Sequence, residues 1–178
     1  IGTMTTLLDD ILLVGRVEEG RLEFSPAPLT LKSFCINLAG EVQSLTSAGH
    51  PIEFVSQLEH ERFNLDQKLV RHIVTNLLSN AIKYSINRTP VHFELAEHSG
   101  GVTLIVRDRG IGIPEDEQAN MFKYFHRFSN VGEIPGTGLG LAIVKRAVDM
   151  HQGEISFESR EGHGTTFTVR LPDAPIQD

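Results

Sequence analysis

Cysteine occurs once in the 178 residues, as Cys35, so no disulfide can form within the chain and a disulfide-stapled scaffold is excluded. A single thiol also suits a reducing compartment. No apolar run approaches the roughly 18 residues that a membrane-spanning helix needs, and the first residues do not read as a secretory leader. Positive charge is in deficit: Lys and Arg number 16 against 23 Asp and Glu, a net charge of −7 with a pI near 5.6. There is thus no electrostatic reason to approach nucleic acid or an anionic membrane, and a polyphosphate would need a local basic pocket. The chain has no GxxxxGK[ST] loop, which excludes a recognisable Walker site, and no internal repeat or low-complexity segment. The triplet "NRT" at Asn87 has the form of a glycosylation site, but such triplets arise by chance and it is set aside.

What the chain does have is 40% hydrophobic and 22% charged residues, enough for one well-filled core. Met4, Leu7, Leu8, Ile11 and Leu12 recur at helical spacing and predict an amphipathic helix that needs a partner for its apolar face. Gly20 ends it, and Pro26 and Pro28 mark a linker passing into an edge strand. A second helix is predicted after Thr30, with Cys35 as a small core residue among Leu31, Phe34, Leu38 and Val42. A short strand over 52–56 and a long helix capped by Asp66 follow. Alternation on both sides of Ser99-Gly100-Gly101 predicts a hairpin, and a loop-rich stretch over 110–140 leads into "LAIVKRAVDMH", a helix. A last hairpin turns at 162–164. Helices mixed with hairpins argue for an α/β sandwich of a largely antiparallel sheet under about three helices, with an extra N-terminal helix.

Three stretches stand out. Between positions 69 and 82 apolar pairs alternate with polar ones, so one side of the helix enters the core while Asn76, Asn80, Lys83 and Tyr84 line up on another. A solvated polar face would explain this equally well for an isolated helix, but asparagine is a mediocre helix former and two of them ask for a reason. "VRDRGIGIP" ends a strand at Asp108 and bends around Gly110 and Gly112, where a flat ligand can approach the backbone and isoleucines such as Ile113 can wall a base. An ordinary strand exit with a capping Asp reads the same way. "GTGLGLAIVKR" sets Gly136, Gly138 and Gly140 directly before a helix, a place for an anion. The Rossmann fingerprint is not met, because Leu141 stands where its third glycine belongs.

"NLLSNAIKYS", "DRGIGIP", "MFKYFHRF" and "GTGLGLAIVKR", in this order, resemble the ATP-binding domain of sensor histidine kinases. The resemblance covers roughly residues 22–172 and implies the Bergerat fold. It implies two parts: residues 1–20 as the end of the second helix of a dimerisation and phosphoacceptor domain, and residues 21–178 as the catalytic domain. By that resemblance Asn80 coordinates Mg²⁺, Lys83 binds phosphate and Tyr84 lies near the nucleotide. Asp108 accepts the adenine amine, and Gly110, Gly112 and Ile113 shape the base pocket. Gly136, Thr137, Gly138, Leu139 and Gly140 close over the phosphates. Residues 110–140 form a mobile lid anchored by Phe122 and Phe125, with Phe122 also counted among the ATP-binding residues and Arg127 as a phosphate or acceptor-side contact. Related gyrase and mismatch-repair ATPases carry a glutamate one turn before the Mg²⁺-binding asparagine as general base. Here Asn76 occupies that place, which implies a site that holds ATP without hydrolysing it quickly and donates to a histidine brought from outside.

That acceptor histidine belongs to a pattern like H-E-x-R-T-P, and none of the eight histidines has this context; His60 in "EHERFN" comes nearest in letters only. "MHQG" near Gly153 departs from the family's usual pair of glycines. The implied ligands are ATP and Mg²⁺. The implied partners are the chain's own dimerisation domain, within a homodimer from which this fragment could be a monomer, and a response regulator. The implied location is cytoplasmic, with a parent that is membrane-anchored or not. Two other readings stay open, a GHKL-type ATPase or anti-sigma serine kinase, and a nucleotide-binding pseudokinase.

Overall fold

The structure is a computed structural model that describes Gly15 and residues 23–45, 50–86 and 88–174. The expected N-terminal helix, and with it the boundary at residue 20, lies outside the described residues apart from Gly15.

The elements follow in the order β1 (Ala27–Thr30), α1 (Leu31–Leu45), β2 (Ile52–Gln57), β3 (Arg62–Leu65), α2 (Gln67–Tyr84), β4 (Val91–His98) and β5 (Gly101–Arg107). Two 3₁₀ turns (Glu115–Asn120 and Ser129–Val131), α3 (Gly140–Met150), β6 (Glu154–Arg160) and β7 (Gly164–Pro172) complete the chain. Five strands form one sheet in the order β2-β4-β5-β7-β6, parallel between β2 and β4 and antiparallel elsewhere. The mixed, largely antiparallel sheet is the expected one. β1 and β3 form a separate two-stranded sheet in which Pro28 faces Asn64. β3 was not foreseen: its four residues are too few to show a period, and only pairing with β1 makes them a strand.

Strand alternation sorts the side chains. Val91, Phe93 and Leu95 of β4, Val102, Leu104 and Val106 of β5, and Phe167, Val169 and Leu171 of β7 are buried beneath the helices, while the residues between them face the other way. Against this face α2 lays Leu69, Val70, Ile73, Val74, Leu77, Leu78, Ala81 and Ile82, the apolar pairs of the sequence. Cys35 sits in the same core, where burial pushes its thiol up to about 12 and keeps it inert. Among the described residues no helix is long and apolar enough to cross a membrane.

One polar cluster locks the ends of the helices together. Asp66 caps α2, its Oδ1 accepting from the amides of Lys68 (2.9 Å) and Leu69 (3.1 Å), and its Oδ2 accepts from Ser25 N (2.9 Å). The amide of Asp66 itself donates to Nε2 of His151, at 3.1 Å, just past the end of α3. Nδ1 of His151 lies 2.8 Å from the Ala147 carbonyl, so it must be the protonated nitrogen and the ring is neutral. Burial holds the His151 pKa below the ordinary histidine range.

A folded-state pKa below the unfolded value, about 6.5, means that the unfolded chain binds the proton more tightly. The stabilisation is therefore complete above that value and is lost as pH falls through the lower folded one. His151→Phe strands the buried Asp66 N–H and is expected to cost about 1–3 kcal/mol at pH 7.5. Urea unfolding between pH 7.5 and 5 should show the wild-type chain losing more stability than the variant as pH drops; equal slopes would show that His151 does not titrate on unfolding.

Candidate nucleotide site

Two connected cavities lie between α2, the end of β5 and the stretch 110–140. The narrower has Leu77 and Ala81 of α2 on one side, Ile111 and Ile113 on another, and Thr165 and Phe167 of β7 behind. Asp108 is its buried charge. By the alternation of β5 it continues the inward row of Val102, Leu104 and Val106, so a carboxylate arrives where the row would otherwise place another aliphatic chain. Oδ1 accepts from the amides of Gly110 (2.8 Å) and Thr165 (3.2 Å), and the Asp108 amide donates to the Thr165 carbonyl (2.9 Å). Burial pushes the carboxyl pKa up to about 6, and the two amide bonds pull the other way.

The loop after Asp108 is threaded between neighbours that leave no space for side chains. A Cβ at Gly110 would stand 2.2 Å from the Tyr84 carbonyl oxygen, and one at Gly112, whose φ is +64°, 2.1 Å from that of Arg160. Ile111 N donates to Tyr84 O at 3.1 Å, Gly162 N to Ile111 O at 2.7 Å, and Ile113 N to Ser159 Oγ at 3.0 Å. Both glycines therefore have a strict backbone reason, and Ile113 is held by its amide as a wall of the cavity.

Sequence reasoning missed Thr165, whose amide and carbonyl clasp Asp108 while its hydroxyl meets Ser159 Oγ at 2.8 Å. The signal was the glycine before it: Gly164 has φ +101°, and a Cβ there would lie 2.2 Å from the Asp108 carbonyl oxygen. Leu77, Leu141 and Phe167 also line the cavity without having been singled out, and Ile111 lines it with Ile113 as the loop's isoleucines were expected to.

The wider cavity, about 650 Å³, is lined by Asn76, Asn80, Lys83 and Tyr84 of α2 and by Arg127, Gly136, Thr137, Gly138 and Gly140 opposite. Asn80 borders both cavities. Lys83 Nζ lies 4.7 Å from the centre of the Tyr84 ring, and a Cβ at Gly136 would be 2.6 Å from that nitrogen. Asn76 spends its amide within the scaffold: Nδ2 donates to the His72 carbonyl one turn back at 2.9 Å, and Oδ1 would be 2.6 Å from a Cβ at Gly140. Gly138, φ +72°, abuts the His126 carbonyl oxygen at 2.7 Å from its would-be Cβ. Thr137 Oγ1 accepts from Leu139 N at 3.2 Å at the start of α3.

Several expectations need correcting. Phe125 does not anchor the lid: it is 68% exposed with φ +60°, on the turn that Gly138 presses against. The anchors are Phe122, packed edge-on to Phe157 at 6.1 Å, together with Phe128 and the buried Val131, so the segment 128–138 is better tethered than its composition suggests. Phe122 and Leu139 border neither cavity; Phe122 packs on the core and Leu139 is fully buried. Arg127 lines the wider cavity, but its Nη2 donates to the carbonyls of Ile134 (2.7 Å) and Gly132 (3.4 Å) and so braces the lid itself. His60, by contrast, lies on the surface as expected, its Nδ1 2.6 Å from Glu97 Oε1.

No cluster of three or more His, Cys, Asp or Glu able to hold a metal exists among the described residues. Any divalent ion here would rest on an amide oxygen and on the ligand's own phosphates, a donor set that suits Mg²⁺, which keeps its waters and takes few protein ligands. Asn80 fits that set, because no hydrogen bond occupies its side-chain amide among the described residues and it stands where the two cavities meet.

Comparison with known proteins places this geometry. Residues 65–175 match the family of histidine kinase-, DNA gyrase B- and HSP90-like ATPases. The circadian input-output histidine kinase CikA of Synechococcus elongatus is 34% identical over 176 residues, 96% of this chain and 23% of that protein. The sensor histidine kinase YvrG of Bacillus subtilis is 34% identical over 168 residues, 93% of this chain and 29% of that protein. The chain thus spans about a quarter of the length of these relatives. Among solved structures, full-length ShkA in complex with AMPPNP superposes with a TM-score of 0.82 at 25% identity, over 99% of this chain and 37% of that one. The mycobacterial sensor histidine kinase MprB does so with a TM-score of 0.71 at 29% identity, over 84% of this chain and all of that one. With a matched family that spans both cavities, and with sensor histidine kinases such as CikA and YvrG as relatives, the chain belongs to the histidine kinase-, DNA gyrase B- and HSP90-like ATPases as a catalytic domain of the sensor histidine kinase type.

Proposed function

We propose that this domain binds Mg-ATP and donates the γ-phosphoryl group to a histidine of its own dimerisation domain, from which a response regulator is then served. The observation that carries the reading is Asp108: a carboxylate in an apolar cavity, one oxygen saturated by two backbone amides and the other left to meet an amine. The AMPPNP bound by the similar ShkA supports a nucleotide as the ligand. Adenine would lie between Ala81 and the isoleucines of the loop, with its amine on Asp108. Gly110, Gly112 and Ile113 would shape that pocket. The phosphates would extend past Tyr84 into the wider cavity toward Lys83, beneath the lid glycines at 136, 138 and 140 and beside Thr137. Asn80 would hold Mg²⁺, whose charge would draw the phosphate oxygens together and favour transfer.

The chain's part in transfer is positioning and charge. Lys83 supplies a cation beside the phosphates, and Arg127 braces the lid from its far wall. Asn76 takes no proton at neutral pH and already bonds His72, so no base at that position activates water. The γ-phosphoryl group therefore waits for a histidine nitrogen; the P–N bond forms as the bond to the β-phosphate oxygen breaks, and ADP leaves. Residues 1–20 are read as the tail of the dimerisation domain that presents this histidine within a homodimer; the catalytic domain works in the cytoplasm without nucleic acid, its parent membrane-anchored or not.

Replacing Asp108 by Asn keeps an oxygen for the two amides and removes the buried charge. A pKa raised in the folded state means stability that is present at low pH and lost as pH rises through about 6. Asp108→Asn is thus expected to make the empty domain more stable at pH 7.5 by about 1–3 kcal/mol, since each pKa unit is worth about 1.4 kcal/mol, with little gain at pH 4. Calorimetry on the same protein should find ADP affinity reduced at least roughly tenfold. A folded variant with unchanged ADP affinity would remove Asp108 from base recognition.

Asn80→Ala should weaken Mg-ATP far more than metal-free ADP, because the lost partner is the cation. Equal losses in the two titrations would make Asn80 a structural residue.

The 178-residue chain should bind Mg-ATP, turn it over slowly and fail to label itself on histidine when given γ-labelled ATP. Adding the parent's dimerisation domain as a separate chain should produce acid-labile label on that domain. Fast ATP hydrolysis with no transfer would favour the ATPase reading, and acid-labile label on the isolated chain would place the acceptor within it.

A further inference from the structure

On the face of the sheet turned away from the helices, a cavity of about 280 Å³ is lined by Glu53 of β2, Pro90, His92 of β4, Arg107 of β5 and Arg109 just beyond it. Register explains the grouping. Glu53 pairs with His92 and His92 with Arg107, which makes one cross-strand row, and Arg109 is two residues further along the same side. The alternation that carries Asp108 inward carries both arginines outward, so this cavity lies directly behind the carboxylate of the nucleotide site.

Among the described residues these two guanidiniums have no partner, unlike those of Arg71, Arg170 and Arg127. Arg71 pairs with Glu41 at 2.7 Å, Arg170 with Glu154 at 3.6 Å, and Arg127 is bonded to lid carbonyls. Among the described residues no carboxylate stands within ion-pairing distance of Arg107 or Arg109, although acidic residues outnumber basic ones in the sequence. The nearby Glu94 is engaged elsewhere: its Oε1 accepts from Gln57 Nε2 at 3.0 Å and its Oε2 meets His92 Nε2 at 3.1 Å. Glu53 borders the cavity without closing on either arginine.

We propose that this cavity is a binding site for a carboxylate, free or on the side chain of a partner. Planar guanidinium forks match the two oxygens of a carboxylate. Charge weighs against phosphate: two arginines against Glu53 leave at most one positive charge over, and Glu94 beside His92 reduces it further, which suits a monoanion better than a phosphate dianion. His92, held by Glu94, forms the wall between the strands.

The test follows the arginine Nε–H signals of the 178-residue chain by NMR, with Mg-ADP present to occupy the nucleotide site and chloride keeping ionic strength constant. Acetate, a blocked glutamate peptide and inorganic phosphate are titrated separately. Saturable shifts at Arg107 and Arg109 with both carboxylates, no comparable shift at Arg170, and roughly tenfold weaker response to phosphate (about 1.4 kcal/mol) are expected. Tighter binding of the peptide than of acetate would assign the site to a side chain, and equal binding to a free acid. R107Q and R109Q should each abolish saturation while leaving ADP affinity unchanged. Shifts that never saturate, that are shared by Arg170, or that phosphate produces as readily would overturn the proposal, and these readings come from the unmodified chain.

Discussion

The two hydrogen bonds that Asp108 Oδ1 accepts, from Gly110 N and Thr165 N, join the end of β5 to the start of β7 and fix the loop between them and α2. A buried carboxylate is costly unless its oxygens are met, and here one oxygen is met twice by backbone. The surrounding construction serves that arrangement. Gly164 lies against the Asp108 carbonyl, Gly110 against Tyr84 and Gly112 against Arg160, so three chain crossings converge within a few residues of one charge. The charge remains at the wall of the narrower cavity because the backbone leaves it nowhere else to go.

The wider cavity is built on a different principle. Its polar groups come from one helix face, Asn76, Asn80, Lys83 and Tyr84 at helical spacing, and its opposite wall is a segment with little regular structure. That segment is nevertheless tied down at Phe122, Phe128 and Val131, by the Asn130 amide on the Gly112 carbonyl at 3.0 Å, and by Ser129 on the Glu117 carboxylate. The narrower cavity holds only about 40 Å³, room for about two or three waters. Phe128 and Val131 are among its walls, so any ligand the size of a purine would have to move lid side chains to enter, which would make binding and lid rearrangement one event.

Much of this was legible in the sequence, for local reasons. Asp66 as a cap, the hairpins at 99–101 and 162–164, and the half-buried pattern of α2 rest on neighbours within a few positions, where propensity and period speak. The glycines at 110 and 112 announced a tight loop, and the structure supplies the crossings that require it. What could not be read depends on distant pairing. β3 exists only beside β1, Thr165 gains its place only through Asp108, 57 residues earlier, and His151 through Asp66, 85 residues earlier. The exchange of Phe125 for Phe128 as an anchor has the same origin: two aromatics three residues apart look alike in sequence, and a positive φ at one turns it out to solvent.

The His151 contact gives α3 unequal ends. Its C-terminal end is bolted to the cap of α2 through Asp66 and pressed onto β7 at Gly153, where a Cβ would stand 2.3 Å from the Arg170 carbonyl oxygen. Its first turn has no such polar bolt: the Thr137 hydroxyl meets Leu139 N, Gly140 lies on Asn76, and Leu139, Ala142 and Ile143 are held by apolar burial. A rod bolted more firmly at one end than at the other tilts more readily than it slides. The 11 residues of α3 make a lever about 16 Å long, so a tilt of ~10° about His151 would lift the glycine end by roughly 3 Å. Small rotations at a buried histidine become large displacements at the rim of the wider cavity, and the amplification is a matter of length alone.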